Sequence, residues 1–134
     1  MEWYLKVMRD NYANFNGRAR RKEYWMFSLF FFIFFFIGLI LAIILSSTND
    51  ILGGGFGIIL IIFFLAHFIP SFAVTIRRFH DTGNSGWLYL VAFIPYIGSL
   101  IIFIITLLDS EEKTNKWGPN PKSKTSFNLD KSRK

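Results

Sequence analysis

Cysteine is absent from the 134 residues, which excludes disulfides, thiolate metal sites and cysteine nucleophiles without fixing a compartment. Histidine is nearly absent, with His67 and His80 the 2 imidazoles available. Acidic residues number only 9 against 15 Lys and Arg. What is abundant is apolar: 52% of the chain is hydrophobic and 19% aromatic, with 17 phenylalanines. A soluble domain of this length could not hide so much apolar surface. The apolar residues gather into long runs that are apolar all round, as expected where lipid is the solvent. Because the charges lie outside those runs, the formal charge of +6 points to anionic lipid headgroups and away from nucleic acid.

The expected fold class is an all-α membrane protein in one polytopic domain over residues 1–121, followed by a basic, disordered tail at 122–134. Trp3, Tyr4, Leu5, Val7, Met8 and Tyr12 cover one half of a helical wheel, with Glu2, Lys6, Arg9 and Asp10 opposite. This predicts a short amphipathic helix lying in the membrane interface. Three transmembrane helices are predicted, at about 26–45, 57–76 and 87–108, each near the roughly 20 residues that cross a hydrocarbon core. A loop of turn formers, Ser46 to Phe56 with Gly53, Gly54 and Gly55, separates the first two. It lacks the Lys-Ser/Thr pair of a phosphate-binding loop. The third run is expected to be kinked at Pro95, with Tyr89, Ala92, Tyr96, Ser99, Phe103 and Thr106 forming a seam against another helix.

Cation placement tests this topology. The amino-terminal segment carries Lys6, Arg9, Arg18, Arg20, Arg21 and Lys22, the first loop carries none, and Arg77 and Arg78 open the second loop. Positive-inside therefore favours a cytoplasmic amino terminus, but three full spans then put the basic tail on the opposite side. Either the tail escapes the rule by its distance from the membrane, or the third run re-enters at Pro95–Gly98 and brings the tail back. The continuous kinked helix is the expectation.

Two groups of residues carry what chemistry there is. His67, Ser71 and Thr75 are four apart and share one helical face within the second span, where an ionisable side chain suggests a polar path. Ordinary helix packing explains the same face, since Pro70 deprives the Ala66 carbonyl of its usual donor. The second group lies at the span junctions: Arg18, Arg20, Arg21, Lys22 and Glu23, then Arg77, Arg78, His80 and Asp81. Guanidiniums suit phosphate or carboxylate, so the junction is a candidate for lipid or partner binding, or for an ion pair between Glu23 and the arginines. Asp81 is a candidate to cap the next helix or to fix the His80 tautomer. One His-Asp pair gives poor zinc ligation and no nucleophile, so no catalytic residue, metal or cofactor is expected and the protein is read as not an enzyme.

These junctions also carry a resemblance. Phe15-Asn16-Gly17-Arg18-Ala19-Arg20-Arg21-Lys22-Glu23-Tyr24-Trp25, Arg77-Arg78-Phe79-His80-Asp81-Thr82-Gly83-Asn84-Ser85-Gly86-Trp87, Ile94-Pro95-Tyr96-Ile97-Gly98 and Asn115-Lys116-Trp117-Gly118-Pro119-Asn120-Pro121 together resemble the bacterial inner-membrane family called domain of unknown function 805. Trp117, Asn120 and Asn84 depart from its usual residues. The resemblance implies a multi-pass protein of the bacterial inner membrane and supplies no activity, substrate or cofactor. The leading expectation is a non-enzymatic membrane protein acting through lipid or protein contacts, with a homo-oligomer or another membrane protein as possible partner. The alternative is a small transporter or channel subunit that oligomerises around the His67 face.

Overall fold

The computed structural model describes residues 1–123, so most of the expected tail at 122–134 lies outside the described residues. Helix α1 (Glu2–Leu5) continues as a π-helical turn, Lys6–Asp10. Two long helices follow, α2 (Arg21–Thr48) and α3 (Asp50–Asp81), of 28 and 32 residues. At about 1.5 Å per residue both exceed the roughly 30 Å hydrocarbon core, and both are long and apolar enough to cross a membrane. A 3-10 helix (Gly86–Phe93) and α4 (Ile97–Leu107) complete the described residues, among which there is no strand.

The loop expected over residues 46–56 does not form. Only Asn49 breaks the helices, in extended conformation, its side chain accepting the Ile51 and Leu52 N–H groups at 2.8 and 3.2 Å. That cap satisfies donors α3 would otherwise leave open, and α2 and α3 fold back as an antiparallel hairpin. Composition misleads here because an apolar solvent rewards any backbone that bonds internally, overriding the turn preference of serine and glycine. Gly53 has a packing role instead: a Cβ there would stand 2.6 Å from the Ser46 Cα. Further along, Phe31 stacks on Phe63 with ring centroids 5.8 Å apart, and Gly38 leaves room for Leu60.

The third apolar run is also not one helix, which corrects the expectation of a continuous kinked span at 87–108. Gly86–Phe93 rises about 2 Å per residue and Ile97–Leu107 about 1.5 Å, so each arm is roughly half a hydrocarbon thickness long. Between them Ile97 N–H bonds back to the Pro95 carbonyl at 2.7 Å, around Tyr96 at φ 61° and ψ −51°. This is a γ-turn with positive φ, a strained geometry for a residue with a Cβ. Gly98 lets the arms cross, since a Cβ there would lie 1.9 Å from the Val91 carbonyl oxygen. The seam expected through Tyr89, Tyr96 and Phe103 is accordingly interrupted, and Tyr96 is 92% exposed at the tip.

The buried core is small and sits at one end. Val7 of the π turn, Ala19, Phe27 of α2 and Val74 of α3 meet there, flanked by Tyr4, Met8 and Tyr24. The apolar face of the amino-terminal helix is therefore docked against the long hairpin. Residues 108–118 return to the same end, so the amino-terminal segment, the start of α2, the end of α3 and the chain after α4 converge.

Candidate functional site

The convergence is built around Asp81, the last residue of α3 and fully buried. Its Oδ1 accepts from Arg18 Nε at 2.9 Å, and its Oδ2 from the Ser110 hydroxyl at 2.5 Å and from Arg78 Nη1. Its carbonyl takes the Glu111 N–H at 2.8 Å. One carboxylate thus joins three distant stretches of chain, as charge-assisted bonds do well when shielded from water.

Arg18 has five N–H donors and all are used. Besides Asp81 Oδ1 they reach the carbonyls of Asp81 (3.1 Å), Glu111 (2.6 Å), Lys113 (2.9 Å) and Gly118 (3.3 Å). Arg78 donates to the carbonyls of Thr106 and Ala19, both at 3.3 Å, and to that of Leu108. It so ties down the carboxyl end of α4, whose last carbonyls lack helical partners. Arg77 pairs with Glu23 of α2 at 2.7 Å, the ion pair anticipated between the two junctions. Glu23 also lies 3.9 Å from the Lys6 ammonium. Nε and Nη2 of Arg77, and Nε of Arg20, are buried without a partner among the described residues.

Asp81 serves the arginines and neither caps the next helix nor orients His80. The His80 tautomer is set elsewhere: Nδ1 lies 3.1 Å from the Gly17 carbonyl, which can only accept, so Nδ1 carries the hydrogen and Nε2 of the neutral ring is an acceptor. The imidazole stacks on Trp117 with centroids 4.3 Å apart and planes 5° off parallel, and the Lys116 ammonium stands 4.4 Å over the other ring partner, Trp117. At the exposed edge, the Lys122 ammonium and then the Ser110 N–H hold the Asp109 carboxyl below its usual range.

The structure divides the expected cations into two sets. Arg18 and Arg78 are buried against Asp81, and Arg77 is buried against Glu23. Arg21 and Lys22 are exposed and Arg20 half-buried. Two of this outer set turn toward Trp3: Arg20 lies 5.6 Å and Lys22 6.0 Å from its ring centroid, with Lys6 at 5.5 Å. Trp3 and Lys6 were not among the sequence candidates; their three-residue spacing on an amphipathic helix was the available signal. Lys116 and Trp117 were missed in the same way, although they belong to the last of the four motifs.

The His67 face is resolved differently. His67 Nδ1 lies 2.7 Å from the Phe63 carbonyl and Nε2 2.6 Å from the Tyr4 hydroxyl, so both nitrogens are committed and Tyr4 donates to Nε2. Four aromatic rings surround it, from Tyr4, Phe27, Phe31 and Phe63. The Ala66 carbonyl freed by Pro70 accepts from the Tyr12 hydroxyl at 2.7 Å. Ser71 gives its carbonyl to the Thr75 hydroxyl at 2.7 Å, within the same helix. Among the described residues no group of three or more His, Cys, Asp or Glu side chains is placed to hold a metal ion.

With this geometry in place, the comparisons with known proteins fall on the same segments. The chain is 45% identical over 122 residues to inner membrane protein YhaH of Escherichia coli K12, covering 91% of this chain and 98% of that one. It is 40% identical over 122 residues to inner membrane protein YhaI of the same organism, covering 91% and 97%. No solved structure matches it. Residues 12–119, which hold every member of the Asp81 network, match the family described as protein of unknown function (DUF805), and the chain belongs to that family.

Proposed function

We propose that this is a non-enzymatic protein of the bacterial cytoplasmic membrane that crosses it twice, through α2 and α3, and binds anionic lipid headgroups at its cytoplasmic face through Lys6, Arg20 and Lys22. The observation that carries this reading is the gathering of those three cations within 5.5 to 6.0 Å of one tryptophan ring. Among the described residues the only carboxylate in ion-pair reach of any of them is Glu23, at 3.9 Å from Lys6, and Glu23 already serves Arg77. Like charges gathered round one ring repel unless counter-anions lie near them, and a phosphate-rich leaflet supplies those at about 1 kcal/mol per cation. Tryptophan belongs at the same depth.

Two crossings also remove the conflict in cation placement. With α2 and α3 as the spans, the amino-terminal cations, Arg77, Arg78 and Lys113, Lys116 and Lys122 all fall on one side, and positive-inside makes that side cytoplasmic. The arms Gly86–Phe93 and Ile97–Leu107 then dip into the leaflet and return. A transporter built around His67 is the weaker reading, because both ring nitrogens are engaged.

Native mass spectrometry of the protein extracted from mixed phosphatidylglycerol and phosphatidylcholine membranes tests the lipid reading. The parent protein is expected to enrich phosphatidylglycerol, and the triple variant Lys6→Gln, Arg20→Gln, Lys22→Gln to lose most of that enrichment. Equal enrichment in both would refute the assignment. A reporter fused to the carboxyl terminus tests topology: cytoplasmic activity agrees with two crossings, and periplasmic activity sinks them.

A further inference from the structure

A groove of 630 Å³ opens along α3, and none of the Trp3 cations lines it. Its walls are apolar, from Phe72 and Ile76 of α3 and from Leu90 and Phe93 of the 3-10 helix, while His80, Lys116 and Trp117 form its mouth. Positions 72, 76 and 80 are four apart and share one helical face, so the groove runs about 12 Å along α3, eight residues at about 1.5 Å. Its polar end lies at the junction and its apolar end points along the bilayer-crossing helix. That gradient matches a membrane lipid standing upright, head at the junction and tail beside α3.

The mouth carries complementary chemistry. Lys116 is exposed, and no ion pair engages it among the described residues. Stacking against Trp117 fixes the ammonium beside the groove. His80 Nε2 borders the groove at Gly86, 3.4 Å from where a Cβ would stand, and Nδ1–H bonding to Gly17 makes that nitrogen an acceptor. An ammonium donor and an imidazole acceptor, both packed on the Trp117 ring and both lining the groove, suit a phosphate and a hydroxyl of one headgroup. A zwitterionic head would instead bring its own cation up to Lys116.

We infer that this groove holds one acyl chain of a phosphatidylglycerol-type lipid, its phosphate on Lys116 and its glycerol hydroxyl donating to His80 Nε2. The inference rests on the membrane placement proposed above but not on the Trp3 cations, which lie elsewhere. In native mass spectrometry from mixed phosphatidylglycerol and phosphatidylcholine membranes, one phosphatidylglycerol is expected to survive collisional activation that strips the rest. Leu90→Trp, at a half-exposed position, should fill the groove and lose that lipid while keeping the parental melting temperature. Lys116→Gln should keep a bound lipid but lower its preference for phosphatidylglycerol several-fold. Arg20→Gln with Lys22→Gln should leave this lipid in place, separating the groove from the surface site. A tight lipid retained in folded Leu90→Trp, a parent protein without one, or an unchanged preference in Lys116→Gln would each overturn the inference. So would a dimer of the parent protein that Leu90→Trp abolishes, since the groove would then hold a second copy.

Discussion

The two ends of the α2–α3 hairpin are held by different physics. At the junction, Arg18 and Arg78 are buried and both bonded to Asp81 and to five stretches of backbone, and the side chains that meet there run from Arg18 to Ser110. At the far end, around residues 39–65, most large side chains point outward: Ile43, Leu65 and Ile61 are each more than 60% exposed. Directional bonds specify the first end, and surrounding lipid with a few close helix contacts the second. A two-helix hairpin could slide along its own axis if only apolar faces met, so the polar end fixes the register for both.

Asp81→Ala should break this contrast most severely, by leaving Arg18 and Arg78 buried without their counter-charge. The expected loss is about 3–5 kcal/mol, read from unfolding in mild detergent with increasing SDS. A loss under about 1 kcal/mol would mean that the arginines are hydrated and the network adds little. The far end has one stiff point to set against it, where a Cβ on Gly53 would approach the Ser46 backbone. Gly53→Ala is expected to cost about 1–3 kcal/mol by forcing the helices apart, visible as faster hydrogen exchange near Asn49; unchanged exchange would show that the close approach is dispensable. Between the two ends, Tyr12→Phe takes the donor from the Ala66 carbonyl and should cost about 1 kcal/mol. If stability is unaltered, another group reaches that carbonyl. Ile40→Val removes one methylene from a face that lipid covers and should change stability by less than about 0.5 kcal/mol. A larger effect would point to a protein partner on that face.

How much of this was legible beforehand divides along similar lines. The two long apolar helices follow from residue type alone, and so does the orphaned Ala66 carbonyl, because a proline's effect on the fourth residue before it is local. The donor that satisfies it, Tyr12, lies 54 residues away, and no periodicity points to it. The junction residues were recognisable by composition, yet their pairing was open: Arg18 to Asp81 spans 63 positions, and either charge could have met lipid instead. Asn49 was hidden inside a segment that looks like a loop in water and is helical here. Pro95 and Gly98 did mark the weak point of the third run. Sequence could not weigh one kinked helix against two short ones, since both have the same apolar composition, and the break lies where Tyr96 turns the backbone and Gly98 lets the two pieces cross.

The reach of Arg18 has a consequence for how the molecule is made. Two of its acceptors, the Glu111 and Gly118 carbonyls, lie 93 and 100 residues downstream. Until α3 is complete that guanidinium lacks Asp81, its charged partner, and until the rest of the chain follows it lacks the carbonyls that take three of its five N–H groups. Asp81 neutralises the charge, and the carboxyl-terminal segment then closes over it with three carbonyls. One residue thus closes the hairpin first and fastens the later chain afterwards, and a chain truncated before residue 111 would keep the Asp81 pair and lose the other three bonds.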